Sequence, residues 1–161
     1  MKKRIWMIFS GMLAVLLIFS LVGCESKDEK EIKNLLLEFE YSCNSMDVNS
    51  LMNCFEPAIT DEIRLGAGLL GINDVGKLFD AFVGYLLYDA DIPFLSDIGV
   101  SGVDFMSSID LSIEEIEIEE DVAIAYTIVS AEIAGQKFTR KAEFLVVYYI
   151  DRWCISEFYI I

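Results

Sequence analysis

The sequence contains no histidine. Ser-His-Asp triads, Cys-His dyads and histidine-ligated metals are therefore excluded at once. Basic side chains are scarce: 12 Lys and Arg stand against 27 Asp and Glu in 161 residues, a formal charge of −15 at pH 7. Three of the 12, Lys2, Lys3 and Arg4, sit at the N-terminus, and every acidic residue lies beyond position 24. Such a chain cannot neutralise a row of phosphates, which excludes nucleic-acid binding. Proline occurs twice, at Pro57 and Pro93, and there is no internal repeat, low-complexity stretch or Pro/Ser-rich linker. The chain beyond residue 24 thus reads as one domain, large enough to bury a core and too short for two.

The N-terminus reads as an address. Lys2-Lys3-Arg4 precedes an uncharged run from Ile5 to Val22, and the run closes Leu21-Val22-Gly23-Cys24. A basic head holds the N-terminus in the cytoplasm while the apolar run enters the translocon. Leu21, Val22, Gly23 and Cys24 closely resemble the lipobox of bacterial lipoproteins. That resemblance implies a diacylglyceryl group on the Cys24 thiol and signal-peptidase cleavage in front of it. An uncleaved transmembrane helix is the alternative, since a run of this length can just span a bilayer. Either reading puts the domain outside the cytoplasm. The expected division is a signal peptide over 1–23, the lipidated (palmitate-bearing) cysteine and a tether over 24–28, and a domain over 29–161. The tether reaches about 14 Å at most. An acidic body so close to anionic headgroups should stand off the surface.

The mature chain reads as a helical half and then a strand half, an α+β domain. Ile32, Leu35, Leu36, Phe39 and Cys43 recur at helical spacing, predicting a helix over about 28–45, broken by Asn44-Ser45-Met46-Asp47. Asp47 or Asn49 can cap a short second helix that Pro57 ends. Thr60 to Gly71 reads as a weak helix or loop. Asn73 or Asp74 caps a helix carrying Val75, Leu78, Phe79, Phe82 and Leu86, and Pro93 and Gly99 mark an irregular connection. From Ile109 the period becomes two. Its phase slips at Glu114-Glu115, the trace of a β-bulge and hence of a curved sheet. Strands over 122–133, 138–150 and 153–161 complete the chain, joined at Ala134-Gly135-Gln136-Lys137 and at Asp151-Arg152.

The order of these elements, with the Asn44-Ser45-Met46-Asp47-Val48 break, Phe55-Glu56-Pro57 and Asp151-Arg152-Trp153, resembles the nuclear transport factor 2-like superfamily, which includes ketosteroid isomerase. The glycine that often comes after the aspartate in that hairpin is missing. The resemblance implies N-terminal helices packed on a curved antiparallel sheet, with a conical cavity at the open end. Homodimers are frequent in the superfamily. Its enzymes place a carboxylate in the cone as general base beside a tyrosine or protonated carboxyl; no local motif maps those roles onto this chain.

Asp80, Asp89, Asp91 and Asp104, with Tyr85, Tyr88, Tyr126, Tyr148 and Tyr149, are the candidate acid–base and oxyanion groups. Buried tyrosines bonded to a backbone carbonyl are the commoner case. Tyr85, Tyr126, Phe144, Tyr148 and Trp153 are the candidate pocket wall or interface. Glu114, Glu115, Glu117, Glu119, Glu120 and Asp121 read as the solvent face of an edge strand, and their spacing does not match a calcium loop. Neither metal nor cofactor is expected. Cys43 and Cys54 straddle the helix break, where an oxidising compartment permits a disulfide; the favoured reading is that they and Cys154 are buried apolar thiols, since Cys43 lies on the core stripe of its helix. The sequence thus points to a membrane-anchored extracytoplasmic module without catalysis, binding a small apolar ligand or a protein, or pairing as a homodimer. The alternative is a small isomerase- or hydrolase-like enzyme using an interior carboxylate.

Overall fold

A computed structural model of the chain describes residues 25–72, 74–87, 101–133 and 135–161. The lipobox with Cys24, the cap candidate Asn73, Ala134, and the connection bearing Tyr88, Asp89, Asp91, Pro93 and Gly99 lie outside the described residues.

Among the described residues five helices precede four strands: α1 (Lys27–Asn44), α2 (Val48–Asn53), α3 (Pro57–Leu69), α4 (Val75–Leu86), α5 (Gly102–Met106), β1 (Ile109–Glu119), β2 (Val122–Ile133), β3 (Gln136–Tyr149) and β4 (Arg152–Ile160). Ser26 caps α1, its hydroxyl accepting the Glu29 N–H at 3.0 Å. All five residues of the expected apolar stripe are buried. Asp47 caps α2 by accepting from the Asn49 and Ser50 amides, and Asp74 caps α4.

One expectation about the helices needs correction. Pro57 does not end the second helix but opens the third, where its missing N–H is one the helix would leave unbonded anyway. The chain leaves α2 at Asn53 because Cys54–Glu56 runs parallel to β4: the Ile155 amide donates to Cys54 O at 2.7 Å, and the Glu56 amide to Ile155 O at 3.1 Å. Residues 60–71, read as a weak helix or loop, are mostly helix α3. A further helix, α5, stands after the connection, held by a reciprocal capping box between Ser101 and Asp104.

The strands form one antiparallel meander in the order β1-β2-β3-β4. The register slips between Ile113 and Glu115, where the sequence placed a bulge, and again between Leu145 and Val146 against β4. An extra residue in one strand bends it and increases its twist, so bulges in both outer strands curl the sheet around α1. The β3–β4 turn falls on Ile150-Asp151, one residue earlier than expected. The inner face carries Ala123, Ala125, Val129, Ala142, Phe144 and Val146, all buried against the helices.

Each sheet edge is partly covered by side chains or backbone. Asn44 Nδ2 donates to Ile109 O at 2.8 Å, and the Leu111 amide donates to Glu40 Oε2 at 2.9 Å, so α1 occupies groups on β1 that another strand could have paired. Residues 54–56 do the same for β4. Exposed pairing groups at sheet edges invite aggregation, and covering them removes that route.

Candidate functional site

Among the described residues, phenylalanines from the helices and the sheet pack together between the two layers. Phe39 lies 5.3 Å from Phe144, 5.9 Å from Phe55 and 5.9 Å from Phe158, ring centre to ring centre. Phe55 meets Phe82 at 5.1 Å, and Phe144 meets Phe158 at 4.7 Å. Among the described residues the buried polar side chains are Ser42, Thr60, Thr127 and Ser130, with no carboxylate. The Thr127 hydroxyl donates to Ala142 O at 3.2 Å.

The structure separates the five residues expected to form a pocket or interface. Phe144 is fully buried in the phenylalanine cluster. Tyr85 projects from α4 and is 47% exposed. Tyr126 lies on the outer face of the sheet, where its hydroxyl donates to Glu117 Oε2 at 3.3 Å. Burial, and then the Glu117, Glu143 and Glu115 carboxylates, push its phenol above the ordinary range, so it is a hydrogen-bond donor at neutral pH rather than a phenolate. Only Tyr148 and Trp153 come together, ring edge to ring face at 5.3 Å beside the β3–β4 turn. The Trp153 indole N–H donates to Asp28 Oδ1 at 3.3 Å and so ties β4 to the first turn of α1. Of the candidate acids, Asp80 is exposed and Asp104 is held in the α5 cap.

The acidic run from Glu114 to Asp121 is exposed throughout. The β1–β2 hairpin frames an open depression of about 710 Å³ between Glu117, Glu119 and Glu120 on one side and Val122 and Ile124 on the other. Among the described residues no three potential metal ligands are gathered closely enough to hold an ion.

The outer face of the sheet is the second face that the run Phe144 to Ile150, apolar on both sides, leaves for something other than the helices to cover. Val122 stands opposite Val147, and Ile124 opposite Leu145, all on the side away from the helices. Ile124, Leu145 and Val147 are half-buried, and Val122, Tyr149 and Tyr159 are exposed by 43%, 42% and 46%. The signal was the apolar run Phe144 to Tyr149, which alternation alone would have interrupted with polar residues. The rim is charged, with Glu117 and Glu119 on β1 and Lys141 and Glu143 on β3.

Cys43, Cys54 and Cys154 are all buried free thiols. Burial pushes Cys43 well up, with Cys54 adding to it. Burial first and Glu38 second raise Cys54 to about 12. Burial likewise raises Cys154. They behave as small apolar residues and not as nucleophiles.

A solved structure of an NTF-2-like protein of unknown function from Shewanella oneidensis matches with a TM-score of 0.50 at 14% identity, covering 81% of this chain and 96% of that one. An NTF2-like protein with a cystatin-like fold from Novosphingobium aromaticivorans matches with a TM-score of 0.50 at 12% identity, covering 94% and 87%. The fold is nuclear transport factor 2-like. No family model and no curated protein matches the sequence. At this identity the likeness extends to the fold alone. Between helices and sheet, Phe39, Phe55, Phe82, Phe144 and Phe158 form one connected cluster of rings.

Proposed function

We propose that this chain is a lipid-anchored extracytoplasmic protein whose NTF2-like domain binds a protein partner, or a second copy of itself, on the outer face of its sheet. The anchoring half rests on Lys2-Lys3-Arg4, the apolar run and Leu21-Val22-Gly23-Cys24. One observation carries the binding half: the paired apolar residues Val122–Val147 and Ile124–Leu145 on a face that the helices do not cover. A contiguous apolar patch with a charged rim is the usual composition of an interaction site. A small apolar ligand within the domain has less behind it, because among the described residues phenylalanine rings pack against one another there. The isomerase- or hydrolase-like alternative needs an interior carboxylate, and no described Asp or Glu is buried.

Two experiments test the two halves. Wild-type chain should take up labelled palmitate and Cys24→Ala should not; equal labelling would refute the anchor. Native mass spectrometry should show a dimer or a retained partner that Leu145→Lys abolishes. A wild-type protein that stays monomeric and partner-free in membrane extracts would refute the binding face.

A further inference from the structure

We propose that the tip of the β3–β4 hairpin, Tyr148-Tyr149-Ile150, is a membrane-contact site that rests in the bilayer interface beside the lipid anchor. The inference rests on the anchoring reading above and adds the surface that meets the lipid.

Position is the first argument. Ser26 already caps α1, so Glu25 and Ser26 alone separate Cys24 from the helix. Two residues reach about 7 Å. The tether is shorter than the expected 24–28, because Lys27 and Asp28 belong to α1. Glu25 is itself folded back, its carboxylate 2.8 Å from Lys33 Nζ. An acylated Cys24 would therefore hold the start of α1 against the bilayer. Asp28, in the first turn, accepts the Trp153 indole N–H, and Trp153 is three residues from the hairpin tip. Whatever brings α1 to the lipid brings the tip with it.

The second argument is the surface. Ile150 is 82% exposed, Tyr149 42% and Tyr148 36%. Tyr and Trp carry an apolar body and a polar handle, which suits the headgroup layer. The third is the backbone. Ile150 has φ +61°, the left-handed region that suits Gly, Asn or Asp and is worst for a β-branched side chain. Neither folding nor packing calls for isoleucine in a strained, solvated turn, whereas partition into lipid does. Non-glycine residues held in this region cluster at functional sites.

Charge settles the kind of membrane. Lys27 and Arg152 lie near the tip, against Asp28, Asp151 and the β1–β2 turn residues Glu119, Glu120 and Asp121. The Tyr148 amide donates to Asp121 O, which places that acidic turn alongside. The acids prevail, so the contact is apolar and interfacial. It differs in sign from a polybasic attachment, which needs anionic lipid and weakens in salt.

The test uses the full chain with Trp6→Phe, in which Trp153 is the one tryptophan. The protein is produced in a lipoprotein-processing host and its acylation is read by mass. It is then placed in phosphatidylcholine vesicles carrying a shallow nitroxide lipid quencher. Trp153 fluorescence should fall by several-fold more than in the Ile150→Gly or Ile150→Asn variants, both of which suit the turn and so fold. Phosphatidylglycerol should reduce the quenching, and added salt should restore it. Acylated protein with unquenched Trp153, or equal quenching in the variants, overturns the contact while leaving the anchor standing. An unacylated Cys24 overturns both. Unquenched Trp153 with Ile150→Asn turning a dimer into monomer would assign the tip to a second copy and overturn the proposal.

Discussion

Ile150 and Ser42 are two residues whose surroundings argue against them. Ile150 holds φ +61° with its side chain in solvent; the left-handed region costs an L residue about 1–2 kcal/mol, and β-branching adds to that. Ile150→Asn should therefore raise stability by about 1 kcal/mol in urea unfolding, while weakening vesicle contact. A variant no more stable than wild type would mean that the turn relaxes elsewhere. Ser42 is fully buried on α1 and its Oγ has no hydrogen-bond partner. A buried hydroxyl left unbonded costs about 1–3 kcal/mol, so Ser42→Ala should hold or raise the urea midpoint; a fall would reveal a bond to an internal water. The thiols give a third residue-level prediction. Cys43, Cys54 and Cys154 should resist a thiol reagent at pH 8 in the folded protein and all react in denaturant, because burial holds each pKa up. Prompt reaction of any of them would place it at the surface. The buried thiols were legible in sequence, since Cys43 lies on the apolar stripe of its helix; the other two states were not, because a serine's bonding and a turn's φ depend on which neighbours the fold supplies.

At the scale of elements, much more could be read. The stripe from Ile32 to Cys43 predicted α1 because five apolar residues at helical spacing admit one buried face, and the phase slip at Glu114-Glu115 predicted the β1 bulge because side chains must alternate faces along a strand. The misses share a cause. Pro57 fits the end of one helix as well as the start of the next, and only the pairing of Cys54–Glu56 with Ile155 decides between them. Helix α5 has five residues, too few to show periodicity, although Ser101 and Asp104 at capping-box spacing were there to be seen. Capping also supplies a pH prediction. The Ser50 hydroxyl, then the Ser50 and Asn49 amides, bond the Asp47 carboxylate and lower its pKa. A carboxylate whose pKa is lower folded than unfolded stabilises above the ordinary value of about 3.9 and stops doing so as pH falls through its folded pKa. Asp47→Ala should therefore lower Tm at pH 7, and the gap from wild type should close as pH falls below about 4. A gap unchanged at pH 3 would show that the cap acts through shape rather than charge.

For the molecule as a whole, the sheet has two faces of opposite use, and adjacent residues on β3 report on them separately. Phe144 points inward to Phe39 and Phe158; Leu145 points outward, opposite Ile124 on β2 and Glu157 on β4. The pocket expected from the sequence mixed such residues because a run apolar on both faces does not say which face is covered. That depends on where the helices land, and α1 with its phenylalanine cluster takes only one side. Phe144→Ala should cost about 3–5 kcal/mol, much of the roughly 5–15 kcal/mol that a domain commands. Leu145→Lys should cost under about 1 kcal/mol, since the new ammonium stands in solvent opposite Glu157. The two variants thus divide stability from association. Urea unfolding should move the midpoint sharply for Phe144→Ala and little for Leu145→Lys, while cross-linking in membranes should lose its higher-mass product in Leu145→Lys. Were Leu145→Lys to unfold the domain as readily as Phe144→Ala, the outer face would be part of the core of a larger permanent assembly and not a docking surface.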